Sequence, residues 1–380
     1  MTKLTKILLV HLYSNGDCLY ATAVARQIKT DFPNCHLTWA IASFCKNILN
    51  GNPYVDEVLE VNDVVKNDVA AFRQFKKDVT EWKSAGKYDE VFITHNADTN
   101  QAYYDGCIRS SVLRAYKRPI TVPVKPVLVL SEQEKNNALS FANNQQLQSY
   151  QQVILFEYAP LSGQSNMTKD DAILIAEKIV SKGNFAVILS SANKIIHSNK
   201  AIIDGSVLTF RETAHLTHYC TFLLGSSSGI TWMSTSEAGK LLPMIQMLNP
   251  NSNWLNAISR DFERFGIATD SVIELIEYNN DIIVESVLSA LNDFSQAKKQ
   301  YNQSIPLHFK TTRSIVYNLL CYLEFGSILT HIKVNREVYG NNLSFYKEVV
   351  MGYVIFPFRL IANFWRKKLL ANKKIVAISL

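Results

Sequence analysis

Apolar runs, each broken by a polar turn and followed by residues at helical spacing, recur along the first 300 positions of this chain. The opening unit is the clearest. Ile7-Leu8-Leu9-Val10 breaks at Ser14-Asn15-Gly16-Asp17, after which Leu19, Thr22, Ala23, Arg26 and Gln27 share one helical face. An unalternating apolar run closed by turn residues predicts a strand buried on both faces of a parallel sheet. The spacing after it predicts a helix. Strands follow over 36–41 (HLTWAI), 55–61 and 88–94 (YDEVFIT). A short helix is expected over 43–49 with Ser43 as its cap, and a longer one over 68–84 carrying Phe72, Phe75, Val79 and Trp82. Such alternation predicts a parallel sheet covered by helices. Residues 118–130 are Pro-rich and extended. Ser131 and Glu134 open a helix over 131–144 with a capping-box pattern, and Asn143-Asn144-Gln145-Gln146 marks a domain boundary.

The second part repeats the logic. A strand at 153–156 leads through the small polar loop 162–166 to a helix over 168–180, ended by Gly183. Strands are expected at 186–189, 207–210, 221–224 and 242–247, with short helices over 211–219 and 230–238. Residues 270–291 read as one or two helices. Beyond about Ser304 the alternation stops; 315–325 and 345–370 look helical, with Pro357 kinking or ending a segment. The fold class is therefore α/β: two Rossmann-like domains, 1–148 and 149–303, facing a central cleft, and a helical basic extension over 304–380.

Length and composition agree with that division. At 380 residues the chain exceeds one ordinary domain. Its six cysteines are scattered without C-x-x-C spacing or a histidine cluster, so reduced thiols are expected rather than disulfides or a zinc site. The N-terminal apolar run is too short for a signal peptide, and no stretch reaches the ~20 apolar residues of a spanning helix. The expected location is cytoplasmic. The net charge of +6 is uneven: residues 307–380 hold eleven Lys and Arg against three Asp and Glu, so the rest of the chain is slightly acidic. Phe358, Leu360, Ile361, Phe364 and Trp365 lie among Arg359, Arg366, Lys367, Lys368, Lys373 and Lys374. Such a helix either lies on an anionic membrane surface, here the inner leaflet, or packs with a solvated basic face. No nucleic-acid motif accompanies it.

In open α/β sheets, ligands bind outside the carboxyl ends of the strands, so the polar residues there are the candidates. Gly16 permits a tight turn and Asp17 stands where a helix begins. Asp17 is either a helix cap or a general base near a bound hydroxyl, with Asn15 and Gly16 beside it. Gly225-Ser226-Ser227-Ser228-Gly229, between a strand and a helix, has the composition of an anion nest. It matches neither the dinucleotide fingerprint nor the P-loop. Ser162, Gly163, Gln164 and Ser165 form a second loop able to meet phosphate, and Lys194 follows the next strand. His95 and Asn96 end the strand at 88–94, as acceptor-binding groups or as satisfied core residues. His215 and His218 lack a third ligand, so no metal site is expected.

These residues resemble, in order, those of the lipopolysaccharide heptosyltransferases of glycosyltransferase family 9. The likeness rests on Ser14–Asp17, on Phe32-Pro33 before the strand at 36–41, and on Asn52-Pro53-Tyr54-Val55-Asp56-Glu57-Val58. In the second half it rests on Phe210-Arg211-Glu212-Thr213-Ala214-His215-Leu216 and on Gly225–Gly229 with Ile230-Thr231-Trp232-Met233. It covers roughly residues 5–295. It implies a GT-B fold, acceptor binding in the first domain and nucleotide-sugar binding in the second. It also implies inverting transfer to a cell-envelope glycan or glycolipid without a required metal or other cofactor. Asp17 falls on the family's catalytic aspartate. Ser227 stands where the family usually carries an aspartate, with Ser228 and Gly229 matching the next two positions. The lysine usual near Gln164 is absent, and the tryptophan-proline after it is replaced around Asn166-Met167. Those departures also fit a catalytically degenerate GT-B protein that binds a glycan or partner. A third reading is a sugar-nucleotide epimerase of the same fold.

Overall fold

The computed structural model describes residues 4–159, 165–249 and 257–378, with the side chains of the last helix described as far as Ile361. The chain forms two compact units, one of residues 1–95 and 107–305, the other of residues 96–106 and 306–380.

The first unit holds two parallel sheets. In the first sheet β1 (Thr5–Val10) lies between β2 (Cys35–Ile41) and β4 (Glu90–Ile93), and β3 (Glu57–Glu60) pairs outside β2. Residues 7–10 are fully buried, as an apolar central strand must be. Helix α1 (Asn15–Asp31) joins β1 to β2, and α2 (Val69–Ser84) joins β3 to β4. After residue 107 come α3 (Ile108–Ala115) and α4 (Glu132–Asn144), the latter opened by the Ser131–Glu134 capping box read from sequence.

The second sheet has six strands in the order β10-β9-β8-β5-β6-β7, all parallel. They are β5 (Gln152–Glu157), β6 (Phe185–Ser190), β7 (Ile202–Asp204), β8 (Phe222–Gly225), β9 (Met244–Met247) and β10 (Val272–Leu275). Helices α5 (Lys169–Val180), α6 (Phe210–Leu216), α7 (Gly229–Ser234), α8 (Ile258–Arg264), α9 (Asn280–Asn292) and α10 (Phe294–Tyr301) surround it. Its core joins Ile154 and Phe156 of β5 to Ile175 and Ile179 of α5 and Ile283 and Val287 of α9.

Several expectations need correction. Ser43 does not cap the 3-10 turn Ser43–Leu49: Ala42 holds that position, and the Ser43 hydroxyl donates to Glu60 and Asn62 instead. Gly183 is not in the left-handed region, and α5 ends at Ser181. Gly183 instead leaves room for the Phe185 ring, whose tip would lie 2.6 Å from a Cβ there. Residues 207–210 are not a strand. The strand lies earlier, at 202–204, and Thr209 with Glu212 forms the capping box of α6. The segment 270–291 contains β10 before α9, because Val272–Leu275 is fully buried as a sheet edge next to β9. Helix α7 stops at Ser234, short of 238, and a Cβ on Gly239 would meet the Met233 carbonyl at 2.8 Å.

Three arginines tie elements of the two sheets together within this unit. Arg26 of α1 reaches Glu237, beyond α7, and the Pro123 carbonyl. Arg211 of α6 makes a bidentate pair with Glu134 of α4 and donates to the Asn47 carbonyl at 3.0 Å. The guanidinium holds the Glu134 carboxyl down at about 2. Arg109 of α3 pairs with Asp261 of α8 at 3.0 Å, both buried.

The second unit is helical: α11 (Lys310–Cys321), α12 (Phe325–Tyr339) and α13 (Leu343–Ile378). Helix α12 was not legible in the sequence. Pro357 neither ends α13 nor breaks it. Helices α11 and α13 pack closely, for a Cβ on Gly352 would meet Val316 at 2.7 Å, and Arg313 pairs bidentately with Glu348. His331 of α12 is buried against Thr312 and the Ala102 carbonyl, and burial lowers it to about 4.

Candidate active site

The turn after β1 and the turn after β8 meet. A Cβ built on Gly16 would lie 3.6 Å from the Trp232 ring and 3.8 Å from the Gly229 Cα. One on Gly229 would lie 3.3 Å from the Phe210 ring and 3.9 Å from the Gly16 nitrogen. Two glycines therefore face each other where the βα turns approach, with little room at Gly229 and just enough for a methyl group at Gly16. Trp232 of α7 stacks edge-on against Tyr20 of α1, with ring centroids 5.4 Å apart, and holds the seam. Gly16→Val should push the turns apart, costing about 1–3 kcal/mol of stability by overpacking and most of the activity. A variant with normal melting temperature and normal turnover would show that the contact is dispensable.

Asp17 stands at this seam. It is not the cap of α1: Ser14 holds that position without a side-chain bond, and Asp17 is the third residue of the first turn. The residue is partly buried. Removal from bulk water raises its carboxyl to about 7, against the opposing pull of Lys66. A carboxyl poised near neutrality and reachable from solvent is what a general base requires. Asn15 beside it has a buried Oδ1 with no hydrogen-bond partner.

An aromatic cluster lies at the carboxyl ends of β1 and β4. His95 packs against His11, Tyr13 and Phe72, with ring centroids at 5.3, 4.5 and 5.1 Å. Burial pushes His95 down to about 3 and His11 well below its ordinary value, so both are neutral. His11 ends β1 with Nδ1 against the Thr94 hydroxyl at 3.1 Å. His95 is thus a packed member of this cluster. Asn96, partly buried, begins the segment that belongs to the helical unit.

The opposing turn differs from an open nest. Ser226, Ser227 and Ser228 are all buried. Ser227 adopts the left-handed conformation (φ 53°), and its N–H donates to Gln246 Oε1 at 2.7 Å. Ser228 caps α7 through the Ile230 N–H. Gln246 also accepts from Thr231, so this side chain of β9 fixes the loop from below. Glu157, the last residue of β5, is buried beside the same turn. Burial raises it to about 7, while the Ser228 hydroxyl and the Ile230 N–H pull it back. Of the second loop, Ser162, Gly163 and Gln164 lie outside the described residues, and Ser165 donates nothing to the turn but accepts from the Met167 N–H. Lys194 is exposed, its carbonyl receiving Lys169 Nζ at 3.2 Å.

Sequence reasoning missed Glu157, His11, Lys66 and Gln246. The first two carried a usable signal, since each is the polar residue that ends an apolar run at a strand's carboxyl end. Lys66 and Gln246 had none, being placed by tertiary structure alone. Among the described residues, no group of three His, Cys, Asp or Glu side chains is assembled to hold a metal ion, and His218 bonds the Ala238 carbonyl. All six cysteines are free thiols.

No protein-family model matches the chain, and no curated protein matches it in sequence. Among solved structures it is similar to the glycosyl transferase family 9 protein of Veillonella parvula DSM 2008. That likeness has 12% identity and a TM-score of 0.51, over 79% of this chain and 97% of that one. It is also similar to the E. coli ADP-heptose lipopolysaccharide heptosyltransferase II, at 13% identity and a TM-score of 0.49, over 76% of this chain and 99% of that one. At such identities the likeness speaks for architecture: the chain has the GT-B fold, with two parallel α/β sheets in tandem.

Proposed function

We propose that this protein is an inverting glycosyltransferase that moves a sugar from a nucleotide-sugar donor to a cell-envelope glycan or glycolipid of the lipopolysaccharide kind. The observation that carries this reading is Asp17, a carboxyl near neutrality at the seam of two facing βα turns in a GT-B fold. Asp17 takes the proton from the acceptor hydroxyl as its oxygen attacks the anomeric carbon. The sugar–phosphate bond breaks on the opposite face, and the nucleoside diphosphate leaves with the bonding pair. Attack from that side inverts the anomeric centre. The acid–base chemistry is supplied by side chains, so transfer is expected to persist in EDTA. The test is a screen of nucleotide sugars with the purified protein and a lipooligosaccharide acceptor, with the product's anomeric configuration read by NMR. A retained configuration, or no transfer from any donor, would overturn the reading.

One observation favours a second reading, a degenerate GT-B protein that binds without catalysis. The Ser226–Ser228 turn is buried, and one of its N–H groups is already taken by Gln246. Calorimetry separates the two readings, because a pure glycan-binding module would bind no nucleotide.

The partner we assign to the helical unit is an anionic membrane surface. Helix α13 has two apolar faces. Phe345, Val349 and Gly352 are on the buried face, with Gly352 against Val316 of α11 and Phe345 against Phe309 and His331, while Leu343, Val350, Val354, Phe358 and Ile361 form an exposed stripe about half a turn away. The sequence then continues with Arg366, Lys367, Lys368, Lys373 and Lys374. An exposed apolar stripe beside basic residues suits a bilayer's headgroup boundary. Among the described residues, no helix is long and apolar enough to cross a membrane. Co-sedimentation with vesicles containing phosphatidylglycerol should lose most bound protein for the double variant Val354→Asp/Phe358→Asp. Equal pelleting of variant and wild type would dispose of this assignment.

A further inference from the structure

Glu157 is a buried carboxyl of which the architecture uses one oxygen only. It ends the central strand β5, and the register Phe156↔Leu224 sets it beside Gly225, where β8 passes into the serine turn. Only 5% of the residue is exposed, and its Oε2 has no hydrogen-bond partner. Its other oxygen meets the Ser228 hydroxyl and the Ile230 N–H at the start of α7, but no helix uses Oε2. Helix α5 is opened by Thr168 and Asp171, and α7 by Ser228. Among the described residues, no cation acts on it. The groups that act on it are the Ser228 hydroxyl and the Ile230 N–H of α7. The other residues around its strand end are Ser190 of β6, Gly225 of β8, Gln246 of β9 and Tyr158, whose hydroxyl is engaged by Ser191. None of these is charged at neutral pH, and residues 160–164 (PLSGQ) add no titratable group. A glutamine would serve the fold better, because an unpaired buried carboxylate is among the costliest groups a fold can carry.

We propose that Glu157 contacts the phosphate of the donor as a neutral carboxylic acid, donating a hydrogen bond, so that donor binding is coupled to uptake of a proton by this residue. This rests on the nucleotide-sugar reading above and adds to it the means of holding the phosphate. The chemistry follows from the surroundings. A diphosphate brought beside an ionised Glu157 would meet a second anion in a site of low dielectric. A proton on Glu157 turns that repulsion into an O–H···O contact. The free carboxyl titrates near 7, so the proton costs little at neutral pH. No covalent step is involved, and the proton returns to solvent when the nucleoside diphosphate leaves.

Titration calorimetry of the full chain with UDP-glucose, ADP-glucose and GDP-mannose tests this, because a diphosphate diester has no titration of its own near pH 7. Repeating each titration in buffers of different ionisation enthalpy counts the protons taken up. We expect uptake at pH 7.5 and affinity about tenfold weaker at pH 8 than at pH 6, as a single group titrating near 7 requires. Glu157→Gln should abolish the Glu157 share of that uptake and flatten the pH dependence while still binding. Any uptake that remains belongs to Asp17, across the seam, and disappears in Asp17→Asn. The same Gln variant should melt higher than wild type above pH 7 and no higher below pH 4. The sign follows from a folded-state value raised above the unfolded one: the burden exists only where the carboxyl is ionised. Binding with no proton uptake by wild type would overturn the proposal and leave the transferase reading intact. Failure of every nucleotide sugar to bind would remove both.

Discussion

Asp17→Asn lowers turnover by about two to four orders of magnitude, the range a positioned general base supplies, and leaves nucleotide-sugar affinity nearly unchanged. The split follows from geometry. Asp17 belongs to the turn after β1, whereas the groups proposed to meet the donor belong to the second sheet. The substitution keeps the shape and removes only the proton acceptor. Wild-type kcat/KM should fall about tenfold per pH unit below about 7, because the base must be ionised and burial holds it protonated there. The acid limb disappears in the variant. The stability effect has the opposite sign. The folded-state value is raised, so the ionised carboxyl burdens the fold above pH 7 and not below pH 4. Asp17→Asn should therefore melt higher than wild type at pH 8 and no higher at pH 3.5. A variant that keeps a tenth of the wild-type rate at pH 7.5 would remove Asp17 from the chemistry.

The parts of this architecture that were legible in the chain are those in which local pattern and tertiary role coincide. Ile7–Val10 is apolar on both faces because helices cover both faces, so burial and pattern carry the same message. Ser131 with Glu134 is a complete cap within four residues. Where a role depends on a partner far along the chain, the reading failed. Val272–Leu275 is a strand only because β9 lies beside it. Read locally, it fell within a segment, 270–291, expected to be one or two helices. Gly183 looked like a helix terminator and is in fact a gap left for the Phe185 ring. The candidate site divides in the same way. Asn15, Gly16 and Asp17 could be singled out locally, because a strand–turn–helix marks its own carboxyl end. The three serines were found as a composition, but their burial under Gln246 depends on β9 and could not be read locally.

Replacing Arg109 by methionine costs about 3–5 kcal/mol, the range for breaking a buried ion pair by removing one partner. That is a large share of the 5–15 kcal/mol by which a domain is stable. Arg109 is 1% exposed. Its guanidinium carbon lies 4.9 Å from the Tyr20 ring, 5.6 Å from Trp232 and 4.9 Å from Phe265. Its N–H groups find no oxygen in hydrogen-bond geometry, so the Asp261 carboxylate at 3.0 Å and the ring faces hold the charge between them. Methionine fills much of the volume and keeps the aromatic contacts, but leaves Asp261 buried without its cation. The Cys107 thiol stays against that carboxylate at 2.8 Å. Urea denaturation measures the loss. The double variant Arg109→Met/Asp261→Asn should recover at least half of it, because an amide beside the thiol carries no charge to compensate. A single-variant loss below about 1 kcal/mol would mean that the rings alone hold α3 to α8. The same substitution should also reduce turnover, because Tyr20 and Trp232 are the rings that seat the Gly16–Gly229 seam beside Asp17. An arginine outside the chemistry would then govern the distance across which the chemistry works.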